Sequence, residues 1–307
     1  MKTLFEEVGI LVFERGWLSS NNVLFASHAA TETLLVDTGY ASHAAQTVTL
    51  VRNALRGRTL NRIVNTHLHS DHCGGNHALQ QAFGCAIDVP SGEAQKVDSW
   101  NEETLSFRAT GQFCPQFQRA GSISPGDVFL HGDSRWRVLA APGHDPHSVV
   151  LYEPDAQLLI SADALWSNGF GVVFSEIVGE PGFDDVRQTL EMLASLAVRC
   201  VIPGHGAPFA DFEAAVVRAF KRLRGMTADP AKHARHAAKV LIKFHLLEMQ
   251  SCSLQELDRW MDNAPYFEVI HRGYFGSINR RAWRLELLNE LIDSGTLGVD
   301  GLVIHNR

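Results

Sequence analysis

An apolar run, Ile63-Val64, passes through Asn65-Thr66 into His67-Leu68-His69-Ser70-Asp71-His72, and Gly74-Gly75 follow shortly after. Three imidazoles and a carboxylate within six positions form the kind of donor set that borderline divalent metals such as zinc take. Residues i and i+2 of an extended segment point to one face, so His67 and His69 can grip one ion together. Asp71 and His72 fall beyond the strand end, where the chain turns, and can face a second. The frame expected around this tetrad is a strand, a ligand-bearing turn and then a helix.

The rest of the composition suits a soluble, well-cored protein. Of 307 residues, 45% are apolar and 20% charged, enough for one large domain, alone or with a smaller one. The net charge of −7 argues against non-specific binding of nucleic acid or anionic membranes by the whole molecule. No apolar run reaches spanning length, and the first residues lack the pattern of a secretory leader. Five scattered cysteines without paired spacing fit a reducing compartment, so a cytoplasmic location is expected.

Along the first two-thirds, strand-like and helix-like stretches alternate. Val8–Phe13, Val23–Ala26 and Thr33–Val36 read as early strands, Ala44–Arg56 as a helix, and Arg62–Asn65 as a short buried strand. Gly75–Phe83 should be helical. Cys85–Val89, Trp136–Ala140, Val149–Tyr152, Leu158–Ser161 and Cys200–Ile202 read as further strands, and Phe183–Leu196 as an amphipathic helix. This mixture suggests packed sheets with helices outside. Ser99–Gly121 has no clear periodicity and carries Trp100, Phe107, Phe113 and Phe117. It reads either as a surface loop with packed aromatics or as a lid over a substrate.

Gly225–Pro230 marks an expected boundary, dividing the chain into residues 1–224 and 231–307. Beyond it come three expected helices, Ala231–Met249, Leu254–Met261 and Arg280–Ser294, with a capping box at Ser253/Glu256, and then a small β-wing over Gly298–His305. Helix, helix, helix, wing is the order of a winged helix. Arg280, Arg281 and Arg284 on the third helix suggest a nucleic-acid reader. Residues 232–307, however, carry ten Lys/Arg against nine Asp/Glu. Without a basic surplus, packing or homodimerisation is the favoured role.

A dinuclear site needs more ligands than the tetrad supplies. Three residues have the right setting: His144 in Pro142-Gly143-His144, Asp163 in Ser161-Ala162-Asp163, and His205 in Pro203-Gly204-His205-Gly206. Each follows an apolar run and has small neighbours. In this order, HxHxDH, PGH, SAD and PGHG, the chain resembles the metallo-β-lactamase-fold superfamily over about residues 5 to 224, in particular its glyoxalase II-like and thioesterase-like branch. The resemblance implies an α/β fold, a four-layer αββα sandwich with the site at one edge of its two sheets. It also implies two divalent metal ions, zinc first, with iron or manganese as alternatives. His67, His69 and His144 would hold one ion; Asp71, His72 and His205 would hold the other; Asp163 would bridge. Asp37, in Val36-Asp37-Thr38-Gly39, matches an early acidic turn that orients ligands. The C-terminal helices resemble the small winged-helix-like domain that some members append.

The chain departs from the family pattern at several places. Asp145-Pro146-His147-Ser148 follows His144 where a Thr-Pro-Gly or Ser-Pro-Gly run is common, and this puts an extra imidazole, His147, near the site. Cys73 beside His72 reads as a small buried side chain. The cysteine ligand of thiolate-type β-lactamases is absent, which disfavours antibiotic hydrolysis. The complete second ligand set disfavours mononuclear iron oxygenases, and His69 disfavours the flavodiiron branch. The implied chemistry is attack by a metal-bridged hydroxide, with Asp71 also acting as the catalytic carboxylate. The leading substrate is a small-molecule carbonyl ester, thioester or lactone. The alternatives are a phosphodiesterase or ribonuclease, and a metal-site sensor with a DNA-binding C-terminal module. Trp166, Asn168, Phe170, Tyr266, His271 and Tyr274 are the candidate pocket residues.

Overall fold

The computed structural model describes residues 1–307. Six strands follow one another across the first sheet in chain order: Ile10–Phe13, Asn22–Phe25, Leu34–Val36, Arg62–Val64, Ala86–Pro90 and Gly121–Ile123. The first three pair antiparallel and the remaining pairings are parallel. Parallel neighbours need a crossover, and the helices Ala44–Leu55 and Asn76–Phe83 provide two of them. The second sheet runs in the order Cys200–Pro203, Leu158–Ala162, Val149–Glu153, Ser134–Ala140, Val128–His131. Only its Leu158–Ala162/Cys200–Pro203 pair is parallel, with the helix Gly182–Ala194 between the two strands in sequence.

Strand alternation produces the layers. Val23, Phe25, Leu34, Val36 and Val64 turn inward from the first sheet and meet Val149, Leu151, Leu158, Ile160 and Ile202 of the second. Their chain neighbours point outward. Leu24, Leu35 and Ile63 pack on Val51, Leu55 and Leu79 of the crossover helices. Val150, Leu159 and Val201 pack on Val186, Leu190 and Leu193 of Gly182–Ala194 and on Ala215 and Ala219 of Phe212–Ala228. With period two and both faces covered, central strands such as Leu34–Val36, Val149–Glu153 and Leu158–Ala162 are buried throughout and read as largely apolar runs. The result is helix, sheet, sheet, helix, the expected αββα order.

Several expectations need correcting. Lys2–Glu7 is helical, and the strands Gly121–Ile123 and Val128–His131 were not anticipated. The helix Phe212–Ala228 runs straight through Gly225, which is exposed, while Leu223 and Met226 hold the helix to the core. A glycine there costs only about 1 kcal/mol. The break is confined to Asp229, whose side chain accepts from Lys232 N, with Pro230 opening the helix Pro230–Met249.

Beyond it lie four helices rather than three: Pro230–Met249, Leu254–Asn263, Pro265–Tyr274 and Arg280–Asp293. The Ser253/Glu256 capping box is present, and the expected wing is part of a three-stranded sheet that also recruits Ser251–Ser253. Trp283, Phe267 and Leu241 centre this core, which Val172 and Ile177 of the first unit join. Tyr40 Oη donates to Glu248 at 2.9 Å and adds a polar tie across the same junction. No helix among the described residues is long and apolar enough to cross a membrane.

Candidate metal centre

The strand Arg62–Val64 delivers His67 into a fully buried position, and the one-turn helix Ser70–Cys73 carries Asp71 and His72. His144 follows the strand Ser134–Ala140, Asp163 follows Leu158–Ala162, and His205 follows Cys200–Pro203. All seven anticipated side chains converge. His67, His69 and His144 form one group and Asp71, His72, Asp163 and His205 another, with one ligand-type atom per residue within 4.8 Å of the others in its group. Asp163 stands between the groups. Its Oδ1 lies 3.4 Å from His72 Nε2 and 3.8 Å from His205 Nε2, and its Oδ2 lies 3.4 Å from His144 Nε2. Asp71 Oδ2 is 3.0 Å from His205 Nε2.

Surrounding groups fix the rings. Asp37 Oδ2 lies 2.8 Å from His72 Nδ1, and the same carboxylate accepts from Thr66 N and Thr66 Oγ1. The Val172 carbonyl accepts from His144 Nδ1 at 2.6 Å. Both contacts turn Nε2 toward the centre, the arrangement a ligating histidine needs, and there His144 Nε2 lies 2.7 Å from His69 Nδ1. His67 Nε2 and His72 Nε2 are buried with no hydrogen-bond partner. Buried polar atoms normally have one, and two orphaned imidazole nitrogens, one in each ligand group, fit divalent cations. Gly204 makes room: a Cβ there would stand 2.1 Å from Asp163 Oδ1 and 3.0 Å from His72 Cε1. The register of Leu158–Ala162 against Cys200–Pro203 shifts just before Asp163, and Ala162 takes a left-handed φ of 45°. Asp37 is left-handed too, at 56°.

Electrostatics agree with a cation site. Burial, then the neighbouring His72, His69 and His144, push His67 well below the usual imidazole range. Burial and His69 push His144 down to about 4. Both rings are therefore neutral and able to ligate. Burial opposes ionisation of Asp163, yet the His205 and His72 imidazoles hold it well below the usual carboxylate range. His72 is raised well above its ordinary value, because Asp163, Asp37 and Asp71 outweigh its burial. Three carboxylates that hold a proton on a fully buried ring would equally favour a metal in its place.

Beside the centre lies a cavity of about 530 Å³ that reaches the helix Pro230–Met249. Trp17 stacks on His205 at 5.4 Å and Trp166 meets the same ring edge-on at 5.5 Å, while Trp166 Nε1 donates to Asp163 Oδ1. Asn168 also lines the cavity, whereas Phe170 is core. Tyr266 borders a smaller cavity of about 170 Å³ shared with His69 and His144. His271 bonds instead to the Ile278 carbonyl, and Tyr274 Oη donates to the Glu176 carbonyl. Neither lines the main cavity. His147 packs toward Glu93 at 3.8 Å, and Cys73 is buried 3.7 Å from Cys114 Sγ.

The packed aromatics expected of Ser99–Gly121 are present. Phe107, Cys114 and Phe117 are core, while Thr110 and Gln112 line the cavity. Of the suggestive arginines, Arg280 pairs with Asp262 and Glu268, and Arg284 with Asp258 and Asp262. Sequence reasoning missed Trp17, Arg222, His236 and the wall formed by Val240, Leu241, Phe244 and Leu247. No motif marks them, since they sit within ordinary helical periodicity or an isolated turn.

Comparison with known proteins places residues 15–205 under the family model of the metallo-beta-lactamase superfamily. Hydroxyacylglutathione hydrolase of Brucella anthropi is 32% identical over 179 residues, 58% of this chain and 56% of that protein. Its namesake from Rhizobium johnstonii is 30% identical over 154 residues, 50% of this chain and 48% of that one. The chain thus spans about half the length of the curated relatives it matches. Among solved structures, a metallo-beta-lactamase family protein from Thermus thermophilus superposes with a TM-score of 0.55 and 21% identity, covering 97% of this chain and 99% of its own. The BLEG-1 B3 metallo-beta-lactamase gives 0.55 and 21%, covering 67% of this chain and 95% of its own. At these identities the likeness is one of fold, and with the Thermus protein it extends through the C-terminal helices.

Proposed function

The chain belongs to the metallo-beta-lactamase superfamily, and on that footing we propose that it is a dinuclear metal-dependent hydrolase of a small-molecule carbonyl ester, thioester or lactone. The observation that carries this reading is the paired ligand set with Asp163 facing both halves and two buried, partnerless Nε2 atoms. His67, His69 and His144 would hold one ion, Asp71, His72 and His205 the other, and Asp163 both. When bound, the ions supply Lewis acidity and a water acidified towards neutrality, with zinc the leading metal and iron or manganese the alternatives.

The chain's own groups do the rest. Asp71 orients the attacking water and takes its proton; its Oδ2 lies 3.0 Å from His205 Nε2, so the two converge on the same ion position. Asp37 and the Val172 carbonyl lock the tautomers of His72 and His144. Trp17 and Trp166 flank His205 and wall that side of the cavity. Thioesters lead because the curated relatives are hydroxyacylglutathione hydrolases. The apolar wall of Val240, Leu241, Phe244 and Leu247 suits an acyl substrate better than a polyanion. The ion-paired Arg280 and Arg284 weigh against both nucleic-acid alternatives.

The test loads the protein with zinc, manganese or iron(II) and assays a thioester, a lactone, an aryl ester and bis-(4-nitrophenyl) phosphate. Carbonyl turnover is expected with about two ions per chain, and both are lost in His69→Ala and Asp163→Ala. Full turnover by a metal-stripped protein refutes the reading, as does a preference for the phosphodiester.

A further inference from the structure

One charge in the cavity beside the metal centre is left over. Arg222, on the helix Phe212–Ala228, lines that cavity, and its guanidinium lies 5.6 Å over the Phe170 ring. Its Nη2 reaches His236 Nε2 at 3.2 Å, and its Nε is buried without a partner. Burial lowers its pKa with no acidic neighbour to offset the effect. Among the described residues, the only carboxylates lining the cavity are Asp71 and Asp163, both assigned above to the metals. His236 is held at about 4 by burial, then by Arg222 and Lys239, so its ring is neutral and accepts from the guanidinium.

The other half-buried cations nearby are committed. Arg15 donates to Asn22, Thr47 and Gln46. Lys243, whose stem lines the cavity, donates from Nζ to the Thr296 and Arg307 carbonyls and to Asn306. Of the two Lys/Arg side chains lining the cavity among the described residues, Lys243 spends its donors on protein acceptors, whereas Arg222 keeps donors without one. Its slot is built for it: a Cβ on Gly169, which has a φ of 131°, would stand 2.6 Å from Arg222 Cδ. A buried guanidinium without a counter-charge is costly. A carboxylate that meets the guanidinium from the cavity supplies the missing charge and an acceptor for its accessible donors.

We propose that Arg222, braced by His236 and Phe170, binds a carboxylate of the substrate, and that the cavity therefore selects an apolar acyl compound carrying one negative charge. This rests on the hydrolase reading above and narrows it. The apolar contribution comes from Val240, Leu241, Phe244 and Leu247. One uncommitted cation matches a monoanion better than a phosphate dianion. A substrate bearing an ammonium finds no free acidic side chain among the described residues of the cavity.

The test compares the phenyl thioester of octanoic acid with that of suberic acid, which has the same chain ending in a carboxylate. Wild type favours the suberyl compound in kcat/KM, and Arg222→Gln shrinks the suberyl-to-octanoyl ratio by on the order of ten-fold or more. General damage to the site lowers both rates and leaves that ratio unchanged, which would overturn the proposal. Calorimetry on metal-loaded wild type with the monoamide of suberic acid and with octanamide tests the same subsite without turnover. The suberyl amide is expected to bind at least about ten-fold tighter, and equal affinities also overturn the proposal. If neither thioester is hydrolysed but the two amides still differ, the hydrolase reading fails and the carboxylate subsite stands.

Discussion

Asp37→Asn is the most incisive single change available at the metal centre. Asp37 adopts φ 56°, a region asparagine tolerates, so the substitution removes charge without adding backbone strain. One carboxylate oxygen accepts from Thr66 N at 2.9 Å, and the amide oxygen of asparagine can replace it. The other oxygen serves Thr66 Oγ1 at 2.8 Å and His72 Nδ1 at 2.8 Å. An NH₂ group placed there can donate to a rotated Thr66 hydroxyl. His72 Nδ1, however, then faces a donor. The ring relieves the clash by moving its proton to Nε2, the nitrogen directed at Asp163 and Asp71. That proton occupies the lone pair needed for the second ion. Loss of such an orienting partner weakens metal binding about 10–100-fold, or about 1.4–2.7 kcal/mol. Competition against a chelator should show one site unchanged and the other weakened by that factor, with turnover restored by excess metal. Two sites of wild-type affinity in Asp37→Asn would refute the tautomer argument.

Three further outcomes follow from the geometry. Gly204→Ala places a methyl 2.1 Å from Asp163 Oδ1, so metal content and turnover should both fall while circular dichroism stays native; full metal loading would refute the contact. Tyr40→Phe removes the bond to the half-buried Glu248 and should cost about 1.5–3 kcal/mol, read as a shift in urea midpoint, with an unchanged midpoint counting against the tie. Burial holds His233, His236 and His245 at about 4, against 6.5 for a free imidazole. The native state therefore binds fewer protons than the unfolded chain between those values, and stability should fall as pH drops from 6.5 towards 4 and stay level above 6.5. A flat urea midpoint between pH 7 and pH 5 would contradict this.

The metal ligands were legible because each is a scarce residue type set just past an apolar run, where strand ends gather at one edge of the sheets. The layers were legible because both sheets are covered on both faces, so Val149–Glu153 and Leu158–Ala162 are apolar throughout most of their length. The short strand Gly121–Ile123 hides in a segment with no periodicity. The helix Pro265–Tyr274 hides because Pro265 reads as a breaker although it sits at the helix start, where proline is tolerated. Arg222 was invisible for another reason. It lies among Arg218, Lys221 and Arg224 on one helix, and only the folded structure distinguishes the cation facing the cavity from those facing water. His271 and Tyr274 were misjudged in the opposite direction, since chemistry-bearing side chains were weighed before their partners were known.

Asp163 is reached through a left-handed alanine, and Asp37 is itself left-handed. Non-glycine residues in that region carry of order 1–3 kcal/mol each. Ala162→Gly would relieve part of this, and a screen for heat resistance alone would reward it. The same change would loosen the turn that aims a carboxylate between two groups of imidazoles. Heat resistance and aim of the carboxylate therefore pull this short turn in opposite directions.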